Sequence, residues 1–442
     1  MADQVQQIVE TSETPDSSAT KAARAGVLRR YRFGLVTLVV LLLGGWFGYG
    51  HWSIESGLKR GQKAVDRGKW KQSQEILSAY LRRNPDDAAA HLLIAESLIK
   101  DPHGGRDYVD RAIGHLRRIT DDSPQAARAR LQEARLTFLI LRKPAQAERL
   151  LQQSLSLEPD SLETTLLMWR LLDATGRHII SREYFWKAFT LTDESGRPSL
   201  LRDWFLAEFD PEQANAEVHR AVGAVAKPSV SLNSWVRFRE SEPEANFLHA
   251  AIAGYYLERG NPESSLELLK ESTNLSEAMT DPFFVAVLFE SLVDLGELEK
   301  ARACFERFPE PHTDYLYWSS KGIFDHQVVG DAKSGIKSYK KALDKWPAKY
   351  DWSLMTKLSD ALRKTGQIEE ASAFQERVKR LTLEILTKEN IGKLHAKLQN
   401  LQDPIVAGEV CDLYTELGLK EEAAAWSRHQ QSLRSGKAAD SR

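Results

Sequence analysis

The chain has 442 residues, with 60 Lys or Arg against 62 Asp or Glu and a formal charge of −2. That balance removes the long-range attraction on which nucleic-acid binding depends, and no basic stripe or block restores it, so no nucleic-acid partner is expected. Only two cysteines are present, Cys304 and Cys411, which exclude a disulfide-built scaffold, a zinc knuckle and a rubredoxin-like centre.

Residues 1–32 read as a cytoplasmic tail. Its first twenty residues hold four acids, six Ser or Thr and only Val5, Ile8 and Val9 as large apolar side chains, a composition that does not fold. Arg24, Arg29, Arg30 and Arg32 then form a basic anchor. From Phe33 to Ile54 there is no charged residue, and about 22 residues at 1.5 Å each give about 33 Å of helix, enough for a hydrocarbon core of about 30 Å. Trp46, Tyr49 and Trp52 lie at the far end, where amphipathic rings favour the headgroup layer. We therefore expect a transmembrane helix over 33–52, in the inner or cytoplasmic membrane of a bacterium-type cell, with the N-terminus inside and the rest outside. The rival readings are a cleaved signal peptide and, from Arg29-Arg30, a twin-arginine export signal; the long preceding region and the long apolar core argue against cleavage.

Beyond the apolar run, glycines recur at one kind of place: Gly68, Gly176, Gly260, Gly296, Gly330, Gly366 and Gly418. From Gly260 the intervals are 36, 34 and 36 residues, a period that specifies a helical solenoid. Each glycine stands where a left-handed residue ends a first helix, and five residues later a small residue sits in a second helix. Across nine candidate units that position is Ser73, Ala112, Ala147, Ser181, Ser265, Ala301, Gly335, Ala371 and Ala423, all small enough for two backbones to approach closely. Acids gather where second helices begin (Glu297 and Glu299, Glu369 and Glu370, Glu421 and Glu422) and face the positive end of the helix dipole, which accounts for them without an acid/base dyad. Asn261-Pro262, Asp281-Pro282 and Asp403-Pro404 set a capping side chain before a proline that needs no N–H partner.

This unit resembles the tetratricopeptide repeat, a helix pair of about 34 residues. The clearest copy carries Phe289, Leu292, Gly296, Ala301, Phe305 and Pro309; others carry Gly61, Ala64, Gly68, Trp70, Leu77 and Pro85, or Gly330, Tyr339, Ala342 and Pro347, or Tyr414, Gly418 and Ala423. The resemblance implies an all-α, right-handed solenoid of about nine to ten helix pairs behind one transmembrane helix. We divide it into an N-terminal repeat block over 53–195, an irregular or degenerate junction over 196–245, a C-terminal block over 246–437 and a tail over 438–442. The junction loses the repeat phase and holds Pro198, Pro211, Pro228 and Pro243; one degenerate pair, Leu200–Phe209 with Glu212–Val222, and a longer loop are expected there.

No catalytic chemistry is legible. There is no P-loop, dinucleotide fingerprint or nucleophile elbow, and no two histidines lie closer than twelve residues, so neither an enzyme nor a cofactor or metal site is expected. The two cysteines should stay unpaired in a solenoid whose repeats touch only their neighbours. What the resemblance implies is a membrane-anchored scaffold presenting a concave surface to a protein or peptide partner, in envelope assembly, export or maturation. The alternatives are a structural subunit of a larger membrane complex and an enzyme without a recognisable motif. In such repeats the groove is lined by the second, fifth, ninth and twelfth positions of the first helix. Mapped here, the second positions are Phe247, Phe283 and Tyr317, and Phe324 falls at a ninth; Leu58, Leu92 and Ala286 at fifth positions lack the carboxylate-clamping pattern of some members. These aromatics are candidates for an apolar peptide groove, and the same residue types equally serve packing against the next repeat.

Overall fold

Seven backbone turns of one shape punctuate the structure, a computed structural model that describes residues 57–440 apart from 104, 106, 210–231, 273 and 346–349. All seven expected glycines have φ between 68° and 84°. At Gly296 the mechanism is plain: its N–H bonds Val293 O at 2.9 Å and the next N–H bonds Leu292 O at 2.9 Å, closing the carbonyls that the helix end leaves open. An eighth turn uses Arg142, φ 58°, which stands five residues before Ala147 as the glycines stand before their small residues.

Between the turns the described residues are helical, with no strand among them. One compact unit ends at Ile119 and contains α1 (57–66), α2 (Trp70–Leu81), α3 (Ala88–Lys100) and α4 (Tyr108–Leu116). The second begins at Thr120. Its first helices are α5 (Ala126–Leu139), α6 (Pro144–Leu157), α7 (Leu162–Ala174), α8 (His178–Leu191), α9 (Arg197–Phe209) and α10 (Leu232–Ser241). There follow α11 (Asn246–Glu258), α12 (Pro262–Lys270), the short α13 (Leu275–Ala278), α14 (Pro282–Asp294), α15 (Leu298–Phe305), α16 (Tyr315–Ile323) and α17 (Ala332–Leu343). The last are α18 (Trp352–Lys364), α19 (Ile368–Arg380), α20 (Lys388–Lys397), α21 (Pro404–Leu417) and α22 (Lys420–Asp440). Among the described residues these make nine antiparallel pairs, so the fold is the all-α repeat solenoid that the sequence implies.

The helix-contact register holds. Ser73, Ala112, Ala147, Ser181, Ser265, Ala301 and Ala371 have no exposed surface, and Gly335 is buried; Ala423 is half-buried. Where serine replaces alanine, its hydroxyl is satisfied: Ser73 Oγ donates to Gly61 O at 3.3 Å and accepts from Ser97 Oγ at 3.1 Å, and Ser265 shares a 2.8 Å bond with Ser291. Asn261, Asp281 and Asp403 each accept from the expected backbone N–H near the helix start. Both cysteines are free, Cys304 buried and Cys411 only half-buried.

Other expectations fall outside the described residues, and some change. The tail 1–32, the apolar segment 33–52 and the helix placed at 212–222 lie outside the described residues, as does Pro347. Among the described residues no helix is long and apolar enough to cross a membrane. The junction helix α9 begins at Arg197, three residues before the expected start, and α10 stands where only loop was expected. It packs back onto earlier repeats: Trp235 Nε1–H donates to Ala174 O at 2.9 Å, and the Glu242 carboxylate accepts from the N–H groups of Ala145 and Gln146 at 2.6 and 2.9 Å. Glu242 thereby caps α6 from almost a hundred residues away, at the helix end where a negative charge is favoured.

Nearest-neighbour contact also fails within the second unit. Helices α7 to α9 share a core with α21 and α22, in which Trp169, Phe185, Trp204 and Phe205 join Val410, Tyr414 and Trp426. Phe209 lies 5.7 Å from Tyr414 and 6.3 Å from Tyr350, centroid to centroid. Arg182 reaches Glu421 and Glu422, at 3.0 Å to the latter, and Tyr350 OH donates to Glu208 at 2.9 Å. The repeats of this unit close on themselves.

Candidate partner-binding face

The four aromatic candidates divide two and two. Phe247 and Phe283 occupy the second position of α11 and α14 and are both half-buried. The Arg177 guanidinium lies 4.0 Å from the centre of the Phe247 ring and is itself paired to Glu148 at 2.7 Å, so the ring is held from one side by a fixed cation. Phe283 packs beside the cluster of Ala250, Ala253, Phe284 and Val287. Its ring tip is 4.0 Å from where a Cβ would stand on Gly254.

Tyr317 and Phe324 are brought together by a residue that sequence reasoning missed, Phe305 of the preceding repeat. Phe324 stacks on it at 4.4 Å and Tyr317 at 5.9 Å, and Tyr317 is stacked on its other side by His312 at 4.1 Å. The reason is a π turn over Phe324–Val328, where Val329 N–H bonds Phe324 O. In other units the first-helix contact residue precedes the small second-helix residue by twelve positions, as Gly61 precedes Ser73 and Ser359 precedes Ala371; here Gly322 precedes Gly335 by thirteen. One residue is inserted. Counting back from Gly330 across it misplaces Tyr317 and Phe324 by one, and their rings turn toward Phe305.

Beyond the second position the first helices of this block present small groups and then acids. Ala250 and Ala286 stand at fifth positions, Gly254 and Glu290 at ninth positions, and Glu258 and Asp294 follow the twelfth. Lys357 of α18 is in contact with Glu290, and Tyr315 OH donates to Asp351. Glu258 and Asp294 are exposed to water, yet the carboxyl pKa of each is raised, first by loss of hydration against the surrounding walls; the charges of Asp351 and Glu290 add to the rise at Glu258, and Glu290 adds to it at Asp294. His178, at the start of α8, bonds Asp173 at 2.7 Å; loss of hydration in its crowded surroundings lowers its pKa, but the Asp173 carboxylate, with Glu208 and Glu258, raises it more and the net direction is up. Among the described residues no group of three His, Cys, Asp or Glu side chains is placed to hold a metal.

Residues 58–102 match the tetratricopeptide repeat. No curated protein sequence matches the chain. Similar solved structures include the APC/C hetero-tetramer Cut9–Hcn1, at 13% identity over 86% of this chain and 73% of that one with a TM-score of 0.33. Others are pilF of Pseudomonas aeruginosa, at 14% over 57% and 97% with a TM-score of 0.25, and MamA, at 13% over 49% and 94% with a TM-score of 0.24.

Proposed function

We propose that this chain, a tetratricopeptide-repeat protein and hence an interaction scaffold in its fold, is held at a membrane by residues 33–52 and binds a peptide segment of a protein partner on the first-helix face of α11 and α14. The observation that carries this reading is the pair Phe247 and Phe283: half-buried aromatic rings in the same register on adjacent first helices, followed by small residues and then by Glu258, Glu290 and Asp294. Such a face suits a segment with apolar anchors followed by a basic residue, since relieving a dehydrated carboxylate favours a cation there. Tyr317 and Phe324 support the face through their packing on Phe305. Envelope assembly, export or maturation is the setting we propose, with the repeats on the outer side of the cytoplasmic membrane and a protein rather than nucleic acid as partner. Residues 120–442 hold 42 Lys or Arg against 49 Asp or Glu, which repels a polyanion.

Detergent extraction of the full chain with crosslinking tests the partner. Phe247→Ala with Phe283→Ala should abolish capture of the partner while the melting temperature stays near normal; a large drop in melting temperature with capture intact assigns both rings to the core. A partner recovered only as a fixed stoichiometric complex would favour the alternative of a structural subunit. For topology, a reporter active only outside the cytoplasm and fused after Arg442 should be active, and protease protection of the repeats in intact spheroplasts would sink this orientation.

A further inference from the structure

The first unit has an opposite charge character from the second. Residues 57–119 carry thirteen Lys or Arg against eight Asp or Glu. Part of this excess converges on a cavity of about 410 Å3 between α2, the start of α3, and α4. Arg82, Arg111 and Arg118 wall it together with His91 and His115, Gly114 opens onto it, and none of its nine lining residues is acidic. Arg111 has a distant partner in Asp107 at 3.9 Å; Arg82 and Arg118 have no carboxylate partner among the described residues.

The two histidines are built in rather than adventitious. His91 is 2% exposed, and its Nε2 lies 2.8 Å from Pro85 O, so that nitrogen carries the proton. Its Nδ1 then accepts from His115 Nδ1–H at 2.8 Å. Burial first, then the neighbouring His91, Arg118 and Arg111, press the His115 pKa down to about 4.

We propose that this cavity is a binding site for a phosphate group, and that its source is the headgroup of an anionic phospholipid. Arginine forks match phosphate oxygens in geometry as well as charge. The lipid source follows from position: Arg82 also lines a second cavity with Gly57 at the start of α1, and Gly57 is three residues past the uncharged run ending at Ile54, a reach of about 10 Å. That source rests on the membrane-anchor reading above; the phosphate chemistry does not.

The test uses the full chain in a neutral detergent, with calorimetry and with NMR of labelled histidine. The probes are dihexanoyl phosphatidylglycerol, dihexanoyl phosphatidylcholine, inorganic phosphate and a short single-stranded RNA. Phosphatidylglycerol should bind about tenfold or more tighter than phosphatidylcholine, and the His115 pKa should rise as the anion cancels the arginine field. Arg118→Ala and Gly114→Glu should each lower affinity by about tenfold. The second variant is the safer control, because nothing lies within 4 Å of a Cβ at Gly114 and glutamate is the better helix former, so its melting temperature should not fall. Unchanged affinity in Gly114→Glu, or RNA binding tighter than lipid, overturns the site. Inorganic phosphate binding as tightly as phosphatidylglycerol removes the lipid source, whereas failure of the topology reporter alone leaves the phosphate arms standing.

Discussion

A left-handed residue other than glycine pays a Cβ clash, so the eight turns offer a measurement at single-residue scale. Arg142 has φ 58° where the other repeats use glycine, and Arg142→Gly should stabilise the protein by about 1 kcal/mol in urea unfolding. A loss of stability would mean that the arginine side chain compensates for its strain. The reverse change, Gly296→Val at φ 72°, should destabilise, because a β-branched residue tolerates this region worst. Ala301, with no exposed surface, is a second probe: Ala301→Glu buries a charge between α14 and α15 and should cost several kcal/mol in thermal melting, while an unchanged curve would show that the helix pair is packed otherwise. The glycine turns and small contact residues were legible because each backbone demand admits few side chains. Arg142 was not, since nothing in an arginine announces a positive φ, and only its spacing of five from Ala147 could have pointed to it.

At the scale of elements, the closing seam of the second unit depends on ionisation. Burial, followed by the charge of Glu422, pushes the Glu208 carboxyl from 4.5 to about 8; the Tyr350 bond offsets only part of the rise. Between those values the folded chain holds a proton that the unfolded chain has lost, so this group's stabilisation is complete below about pH 4.5 and disappears as pH rises through about 8. The melting temperature should fall between about pH 4.5 and 8, and Glu208→Gln should flatten that fall; an unaltered slope would place the pH dependence elsewhere. Arg182→Ala should be harsher, at about 3 kcal/mol, because it strips the guanidinium from Glu422, whose side chain has no exposed surface. Neither contact was readable from sequence. Glu421 and Glu422 were recognised as helix-start acids, and they are, but their partner lies 239 and 240 residues away. The π turn at Phe324 was equally silent, since one inserted residue leaves the spacing of the glycines almost unchanged.

For the whole molecule, near-neutral net charge hides a division: basic over 57–119, acidic over 120–442. Raising salt should therefore weaken phosphatidylglycerol binding at the first unit and capture of a partner by Glu258, Glu290 and Asp294 at the second, while leaving the aromatic contribution of Phe283 in place. A salt-independent affinity at both would remove charge from the account of either site. The sequence by itself determined the helix pairs, their turns, the small residues between them and hence the repeat fold, because those features answer to local sterics within about 34 residues. Only the tertiary structure decided that α9 closes against α21 and α22, that Glu242, just past α10, caps α6, that Phe305 gathers Tyr317 and Phe324, and that three arginines share one cavity. Each of those arrangements joins side chains from different helices, in several cases more than a hundred residues apart, so it is set by packing between elements and written in no single local pattern.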